Sequence, residues 1–302
     1  MGCADVGHTI ARGCDARAMR IVRGIAELRA ALDEPRRGGR RIGLVPTMGY
    51  FHEGHLSLMR RARAECDMVV VSLFVNPTQF NDPADLAAYP RHEERDAQMA
   101  KGAGVDLLFA PNVGQMYPPD FSTVVTVGKL TEPLEGVARG EGHFRGVATV
   151  VAKLLNIVQP TVAYFGQKDA QQALVIRRMA RDLDFPLRVE VCPTVREPDG
   201  LAMSSRNVRL APSARQQALA LRRGLEAARS SVHNGERAAS AIVARGIAAM
   251  ADLGVEPEYF AVVSPETLQP LDRLDGEALI AVAARVGGVR LIDNEIVRVR
   301  PA

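Results

Sequence analysis

Eight residues, Met68 to Val75 (MVVVSLFV), form a nearly unbroken apolar run rich in β-branched side chains. A strand with no polar face must be covered on both sides, as in the centre of a parallel sheet flanked by helices. The surrounding chain has the matching rhythm. Ile42 to Pro46 reads as a buried strand and Gly54 to Glu65 as a helix. Glu93 to Gly102 reads as a helix, Val105 to Ala110 as a strand, and Phe144 to Val158 as a helix stopping before Pro160. Val162 to Phe165 (strand), Asp169 to Leu183 (helix, Asp169 near its cap) and Leu187 to Val195 (strand) continue the alternation. This βαβα order predicts an α/β fold with a Rossmann-like, doubly wound parallel sheet, whose ligands sit at the carboxyl ends of the strands.

The pattern changes after about Asn207. Two Ala- and Arg-rich helical stretches, Ser213 to Ser230 and Arg237 to Leu253, precede strands at Glu258 to Val263, Ala278 to Val286 and Val289 to Val297. Helices followed by adjacent strands predict a smaller C-terminal α+β domain with an antiparallel sheet. The expected division is a flexible extension over residues 1–18, a larger domain over 19–194 and a smaller one over 195–302.

Composition narrows the function classes. The 302 residues are 47% hydrophobic and 24% charged, with a net charge of only +3. That balance implies no broad nucleic-acid-binding face. No apolar run reaches the roughly 18 residues that span a bilayer. Met1-Gly2-Cys3 is not followed by the Ser or Thr at position 6 that myristoylation wants, since Val6 stands there. Cys3, Cys14, Cys66 and Cys192 are scattered, with neither metal-type nor disulfide-framework spacing. A reduced, cytoplasmic setting is the simplest expectation.

Three segments carry the candidate chemistry, the first two at strand-to-helix junctions. The first is Pro46-Thr47-Met48-Gly49-Tyr50-Phe51-His52-Glu53-Gly54-His55. A helix start presents free N–H groups and the positive dipole end to an anion. His52 and His55, three apart, share one face of the first turn. They can donate to phosphate oxygens as charge builds. His-x-x-His could instead bind zinc, but no third ligand is evident; alone, it would be a surface pair. The second is Phe165-Gly166-Gln167-Lys168-Asp169-Ala170-Gln171-Gln172. Lys168 can set a compact charge against phosphates, and Asp169 can accept from a ribose hydroxyl or simply cap the helix. The third is Asp199-Gly200-Leu201-Ala202-Met203-Ser204-Ser205-Arg206-Asn207, where hydroxyls beside an Arg suit phosphate; by itself it reads as an interdomain loop. Asn76-Pro77-Thr78-Gln79-Phe80 closes the apolar run and either fixes a small polar substrate or merely turns the chain. Asp96, on a helix, is a candidate metal ligand. His143 and Arg145 in GEGHFRG are candidates for the mouth of a site, or belong to a flexible loop.

Taken together, PTMGYFHEGH, VNPTQF, DLAAYPR, EGVARGEGHFRGV, FGQKDAQQ and DGLAMSSRN, in this order from about Arg20 to Val297, resemble the pantothenate synthetase (pantoate–beta-alanine ligase) family of the HIGH-type nucleotidyltransferase superfamily. The resemblance implies a two-domain homodimer that uses ATP and magnesium to join (R)-pantoate to beta-alanine through a pantoyl-adenylate, releasing AMP and pyrophosphate. It implies that Met48, Gly49, Tyr50, Phe51, His52, Glu53, Gly54 and His55 form the nucleotide loop, with His55 as proton donor and His52 stabilising phosphate. Gly166, Gln167, Lys168 and Asp169 would form the second ATP segment, with Lys168 on phosphate and Asp169 on ribose. Val195 would lie beside adenine, and Met203, Ser204, Ser205 and Arg206 in a mobile loop over the phosphates. Gln79 and Gln172 would hold pantoate, Gln79 would also border beta-alanine, and Asn76 would support catalysis. Two positions depart from the family: Gln167 stands where Glu is common, and Arg95 precedes Asp96 where an acid is often found. The rival readings are a nucleotidyltransferase for another acid, a non-catalytic nucleotide-binding regulator, and a zinc hydrolase built on His52 and His55.

Overall fold

The structure is a computed structural model that describes residues 18–299. The extension expected over residues 1–18, like Cys3 and Cys14, lies outside these apart from Ala18. The chain runs β1 (Arg20–Val22), α1 (Ile25–Arg37), β2 (Ile42–Thr47), α2 (Glu53–Glu65), β3 (Met68–Leu73), α3 (Pro83–Ala88), α4 (Glu93–Gly102), β4 (Leu107–Phe109), α5 (Val113–Met116), α6 (Glu135–Val158), β5 (Val162–Gly166), α7 (Ala170–Asp182) and β6 (Arg188–Cys192). These build a six-stranded sheet in the order β1-β4-β3-β2-β5-β6, with every pairing parallel.

The apolar run is indeed the sheet's centre. β3 lies between β4 and β2, and Met68 to Ser72 are all buried. Its side chains alternate between two cores. Val70 faces a cluster with Leu28 and Leu32 of α1, Leu155 of α6 and Ile176 of α7. Val69 and Val71 face a second cluster with Met59 and Ala62 of α2 and Ala100 of α4. Each such aliphatic side chain, fully removed from water, contributes about 1.5–3 kcal/mol.

The strand order fixes where a ligand can bind. From β2 the chain winds outward through β3 and β4. After α6 it returns to the other side of β2 as β5 and continues to β6. The direction of winding therefore reverses between β2 and β5, which opens a crevice at their carboxyl ends.

The C-terminal part contains α8 (Pro212–His233), α9 (Ala239–Ala251) and the antiparallel strands β7 (Pro257–Val263), β8 (Glu277–Val286) and β9 (Val289–Arg298). One face of this three-stranded sheet packs under α8 and α9 through residues such as Leu221, Leu225, Ile280 and Val282. The other face lies against the larger unit, where Val263, Leu279 and Ala281 meet Phe144 of α6 and Val175 of α7.

Three differences from the sequence reading have physical causes. β1 and α1 were not anticipated; β1 is only three residues long and acquires its strand conformation by pairing with β4. α6 is bounded at Glu135, nine residues before the expected Phe144, but Gly140 inside it is non-helical at φ +69°, ψ 169°, so a short helical stretch precedes the long one that carries Phe144. The glycine does interrupt the helix, in keeping with a Gly-rich lead into it. Asp169 occupies the N-cap position of α7, yet its side chain makes no capping bond among the described residues.

Candidate active site

The β2–α2 junction must turn sharply to bring a helix N-terminus over the sheet. Gly49 does so at φ +89°, and Tyr50 follows at φ +52°. At φ +89° any L side chain would be strained, and a Cβ there would also press on Leu73 Cδ1 at 2.6 Å, so the turn favours glycine. Asp96 of α4 holds the turn from behind. Its carboxylate accepts the N–H groups of Tyr50 (2.6 Å) and Phe51 (2.7 Å), and only 1% of the residue is exposed. Burial pushes its pKa up, while the Phe51 and Tyr50 N–H groups pull it back. Arg95 donates to Phe51 O at 3.0 Å and stacks over the Tyr50 ring. Asp96 thus spends both oxygens on backbone, and among the described residues no three His, Cys, Asp or Glu side chains gather as a metal cluster. The geometry makes Asp96 an anchor of the loop.

The loop delivers two adjacent imidazoles, His52 and His55, with ring centroids 4.1 Å apart and planes tilted by 39°. The His52 backbone N–H donates to His55 Nδ1 at 3.3 Å. With Nδ1 accepting, the proton of a neutral His55 sits on Nε2. Burial, then His52 and the Lys168 ammonium, push the His55 pKa well below its ordinary value. Burial and Lys168 likewise push His52 down to about 4. Both rings are therefore neutral near pH 7. Neutral rings can still offer ring N–H donors. The His52 side chain in turn faces the His55 backbone N–H, closing a reciprocal capping box at the start of α2.

At the other strand end, β5 runs into a 3-10 turn, Gln167–Asp169, and then α7. Lys168 Nζ lies 4.0 Å from Asp169 Oδ1. The uncapped Asp169 carboxylate borders the same space. After β3, the turn Pro77–Gln79 is built on Asn76, which is 1% exposed. Asn76 Oδ1 accepts from Thr78 N–H, Thr78 Oγ1 and Tyr117 OH; its Nδ2 donates to Gly146 O and Gln79 Oε1, both at 3.1 Å. Every polar atom of Asn76 is thereby used in fixing the turn, so it acts by positioning Gln79.

These segments meet around one cavity of about 690 Å³ at the β2/β5 crevice. Of the residues singled out in the sequence, Met48, His52, Gly54, His55, Asn76, Gln79, Gly166, Lys168, Asp169, Gln172, Val195, Met203, Ser204, Ser205 and Arg206 line it. Gly49, Tyr50, Phe51, Glu53, Gln167 and Asp96 do not; Gly49, Tyr50, Phe51 and Asp96 shape the loop behind it, whereas Glu53 is exposed and pairs with Arg60. His143 lines the cavity and approaches Gln79 O at 2.8 Å, whereas Arg145 is exposed and points elsewhere. Ser205 Oγ donates to Tyr50 O at 3.2 Å and ties the third segment to the histidine loop. Arg206 pairs with Asp85 of α3 at 3.0 Å and lies over the Tyr89 ring.

Sequence reasoning missed an acidic anchor. Glu135 accepts both guanidinium nitrogens of Arg290 (2.6 and 2.8 Å), Arg139 Nε at 2.7 Å and Tyr259 OH at 2.9 Å. Burial alone would raise its pKa, but Arg290 and Arg139 hold it at about 2. Its partner Arg290 lies far away in sequence, on β9, so no local pattern could announce the cluster.

A doubly wound parallel sheet with paired histidines on the loop after β2, a lysine after β5 and a small domain beside them is the arrangement of a HIGH-type nucleotide-binding enzyme fold. The comparisons narrow the class further. The family model described as Pantoate-beta-alanine ligase matches residues 20–296, and the chain belongs to that family. It is 54% identical over 289 residues to a pantothenate synthetase of Heliobacterium modesticaldum, covering 93% of this chain and all of that protein. It is 54% identical over 279 residues to one of Thermotoga neapolitana, covering 92% and 99%. A crystal structure of pantothenate synthetase from Thermus thermophilus superposes with a TM-score of 0.87 at 51% identity, covering 92% of this chain and 99% of that one. A structure of pantoate-beta-alanine ligase from Francisella tularensis, complexed with beta-gamma ATP and beta-alanine, superposes with a TM-score of 0.76 at 33% identity, covering 92% and 98%.

Proposed function

We propose that the chain condenses (R)-pantoate with beta-alanine at the expense of ATP, in two steps. A pantoate carboxylate oxygen attacks the α-phosphorus of ATP, the bond to the β-phosphate breaks, and pyrophosphate leaves. The beta-alanine amine then attacks the acyl carbon of pantoyl-adenylate, AMP departs with the carboxyl-derived oxygen, and the new amide loses a proton. The observation that carries the reading is the single cavity in which His52, His55 and Lys168 face the same space as Gln79 and Gln172.

The first step brings two anions together, so the site must supply positive potential and oriented donors where charge develops. Lys168, Arg206 and the start of α2 supply the first; His52 and the Nε2–H of His55 supply the second. Asp169 takes the ribose hydroxyls, Val195 borders adenine, and Met203 to Arg206 close over the phosphates to exclude water from the labile adenylate. Gln79 and Gln172 hold pantoate, with Gln79 also bordering beta-alanine. Magnesium bound with ATP would supply neutralisation of phosphate charge beside Lys168 and Arg206. Residues 19–194 act as the ATP- and pantoate-binding domain, and residues 195–302 as the smaller domain that closes over it. The enzyme works as a cytoplasmic homodimer in pantothenate and coenzyme A synthesis. No helix among the described residues is long and apolar enough to cross a membrane.

The test is product analysis with magnesium, ATP, (R)-pantoate and beta-alanine, with and without the amine. Equal amounts of AMP and pantothenate are expected, and pyrophosphate with trapped adenylate when the amine is left out. ADP and orthophosphate as products, or pyrophosphate release that ignores pantoate, would overturn the proposal.

A further inference from the structure

Two adjacent residues of β9 reach out of the small sheet into the machinery of the large one. Asn294, 5% exposed, donates from Nδ2 to the carbonyl oxygens of Gln167 and Lys168, both at 2.9 Å, and its Oδ1 accepts from Gln167 Nε2 at 2.9 Å. The three bonds admit only one orientation of the amide, since reversing it would set oxygen against two carbonyls and NH2 against NH2. Its neighbour Asp293, 3% exposed, grips Arg196 with bonds of 2.6 and 3.1 Å. Arg196 also donates to Gly200 O at 3.2 Å, at the root of the loop that continues into Met203 to Arg206.

The turn Gln167–Asp169 is a single 3-10 turn between a strand end and a helix start. A long, flexible lysine on so short a turn is only as well placed as its backbone. We propose that Asn294 is a positioning residue for Lys168: it clamps the two carbonyls of the lysine turn and thereby aims the ammonium at the phosphates. The small domain is then an organiser of the phosphate site as well as its cover. Because the clamp spans the two sheets, Lys168 is correctly aimed only while β9 is seated against the turn. This inference rests on the proposed adenylation reaction.

The experiment compares the full-length protein with its Asn294→Asp and Asn294→Ala variants in pantoate-dependent ATP–pyrophosphate exchange, with thermal melting run alongside. Asn294→Asp keeps the shape but sets a carboxylate oxygen against two carbonyls. Asn294→Ala removes the donors without adding charge, and it carries the test should the Asp variant fail to fold. The expected result is a fall in exchange kcat of up to about 100-fold, the penalty typical of a misplaced catalytic group, with the KM for pantoate unchanged and cooperative melting retained. In single-turnover adenylation, adding Asn294→Ala to Lys168→Ala should cost little beyond Lys168→Ala alone, because the clamp acts through the lysine. An unchanged kcat in both variants, or an equal loss with and without Lys168, would overturn the inference. Failure of the unaltered protein to exchange with pantoate would instead overturn the functional proposal, so the two failures are distinct.

Discussion

Replacing Asp96 by Asn changes one atom behind the histidine loop. The carboxylate now accepts two N–H groups, from Tyr50 at 2.6 Å and Phe51 at 2.7 Å. An asparagine can accept only one of them and turns an NH2 toward the other. A lost hydrogen bond to a charged group is worth about 1.5–3 kcal/mol, and a buried donor left facing a donor costs about 1–3 kcal/mol more. The burial that pushes the Asp96 pKa up means that neutralising the residue recovers part of this. The low end is therefore appropriate, about 3 kcal/mol. The loop also holds Tyr50 at positive φ, a conformation that a non-glycine residue keeps only while its surroundings enforce it. If the loss falls on the aligned state of the loop, about 3 kcal/mol corresponds to roughly a 100-fold drop in kcat for pyrophosphate exchange. The assay is exchange at increasing magnesium, with thermal melting beside it. An anchor predicts a lower kcat at saturating magnesium, an unchanged half-saturating concentration and a lower Tm. A metal ligand predicts a large shift in that concentration with kcat recovered at high magnesium. That second pattern, or no change at all, would refute the reasoning.

Three further outcomes follow from the same geometry. His55→Ala removes the Nε2–H donor and should lower the adenylation kcat by about 10²–10³-fold, read by pyrophosphate exchange. Gly146→Ala would put a Cβ 2.3 Å from Thr78 O and 2.8 Å from Gln79 N; overpacking there should cost about 1–3 kcal/mol in urea unfolding and raise the KM for pantoate as Gln79 shifts. Stability should fall as pH drops from 6.5 to 4, because His52 and His143 are held at about 4 in the fold and take up their protons more readily when unfolded. Glu135, held at about 2, adds a loss that begins below pH 4.5 as its carboxylate is protonated. A urea midpoint that stays flat between pH 6.5 and 4 would contradict the histidine assignment.

The larger sheet was legible because its strands are signalled locally: an apolar run such as Met68 to Ser72 can be buried in few other ways. The strand-end motifs were legible for the same reason, since histidines, lysine and glycines cluster within ten residues at each junction. What escaped is non-local. Asn294 lies in an ordinary polar stretch of β9 and gains meaning only when it meets Gln167 and Lys168. Glu135 of the larger unit and Arg290 of the small sheet lie 155 residues apart in the chain and pair where the two meet. Residue type alone does not separate Gln171 from Gln172; the family resemblance singles out Gln172. The structure buries Gln171 under Leu130 and Pro133, to whose carbonyls it donates, and leaves Gln172 at the cavity. The helical turn separates neighbours by about 100°, so adjacent identical residues can have unrelated roles.

The central claim is that a carboxylate and the α-phosphate of ATP react side by side in the β2/β5 crevice. Pantoate labelled with oxygen-18 in its carboxylate tests this directly, by mass spectrometry of the products after turnover with beta-alanine. The account predicts one labelled oxygen in the phosphoryl group of AMP and none in pyrophosphate. Label in orthophosphate or pyrophosphate, or its full retention in pantothenate, would contradict it.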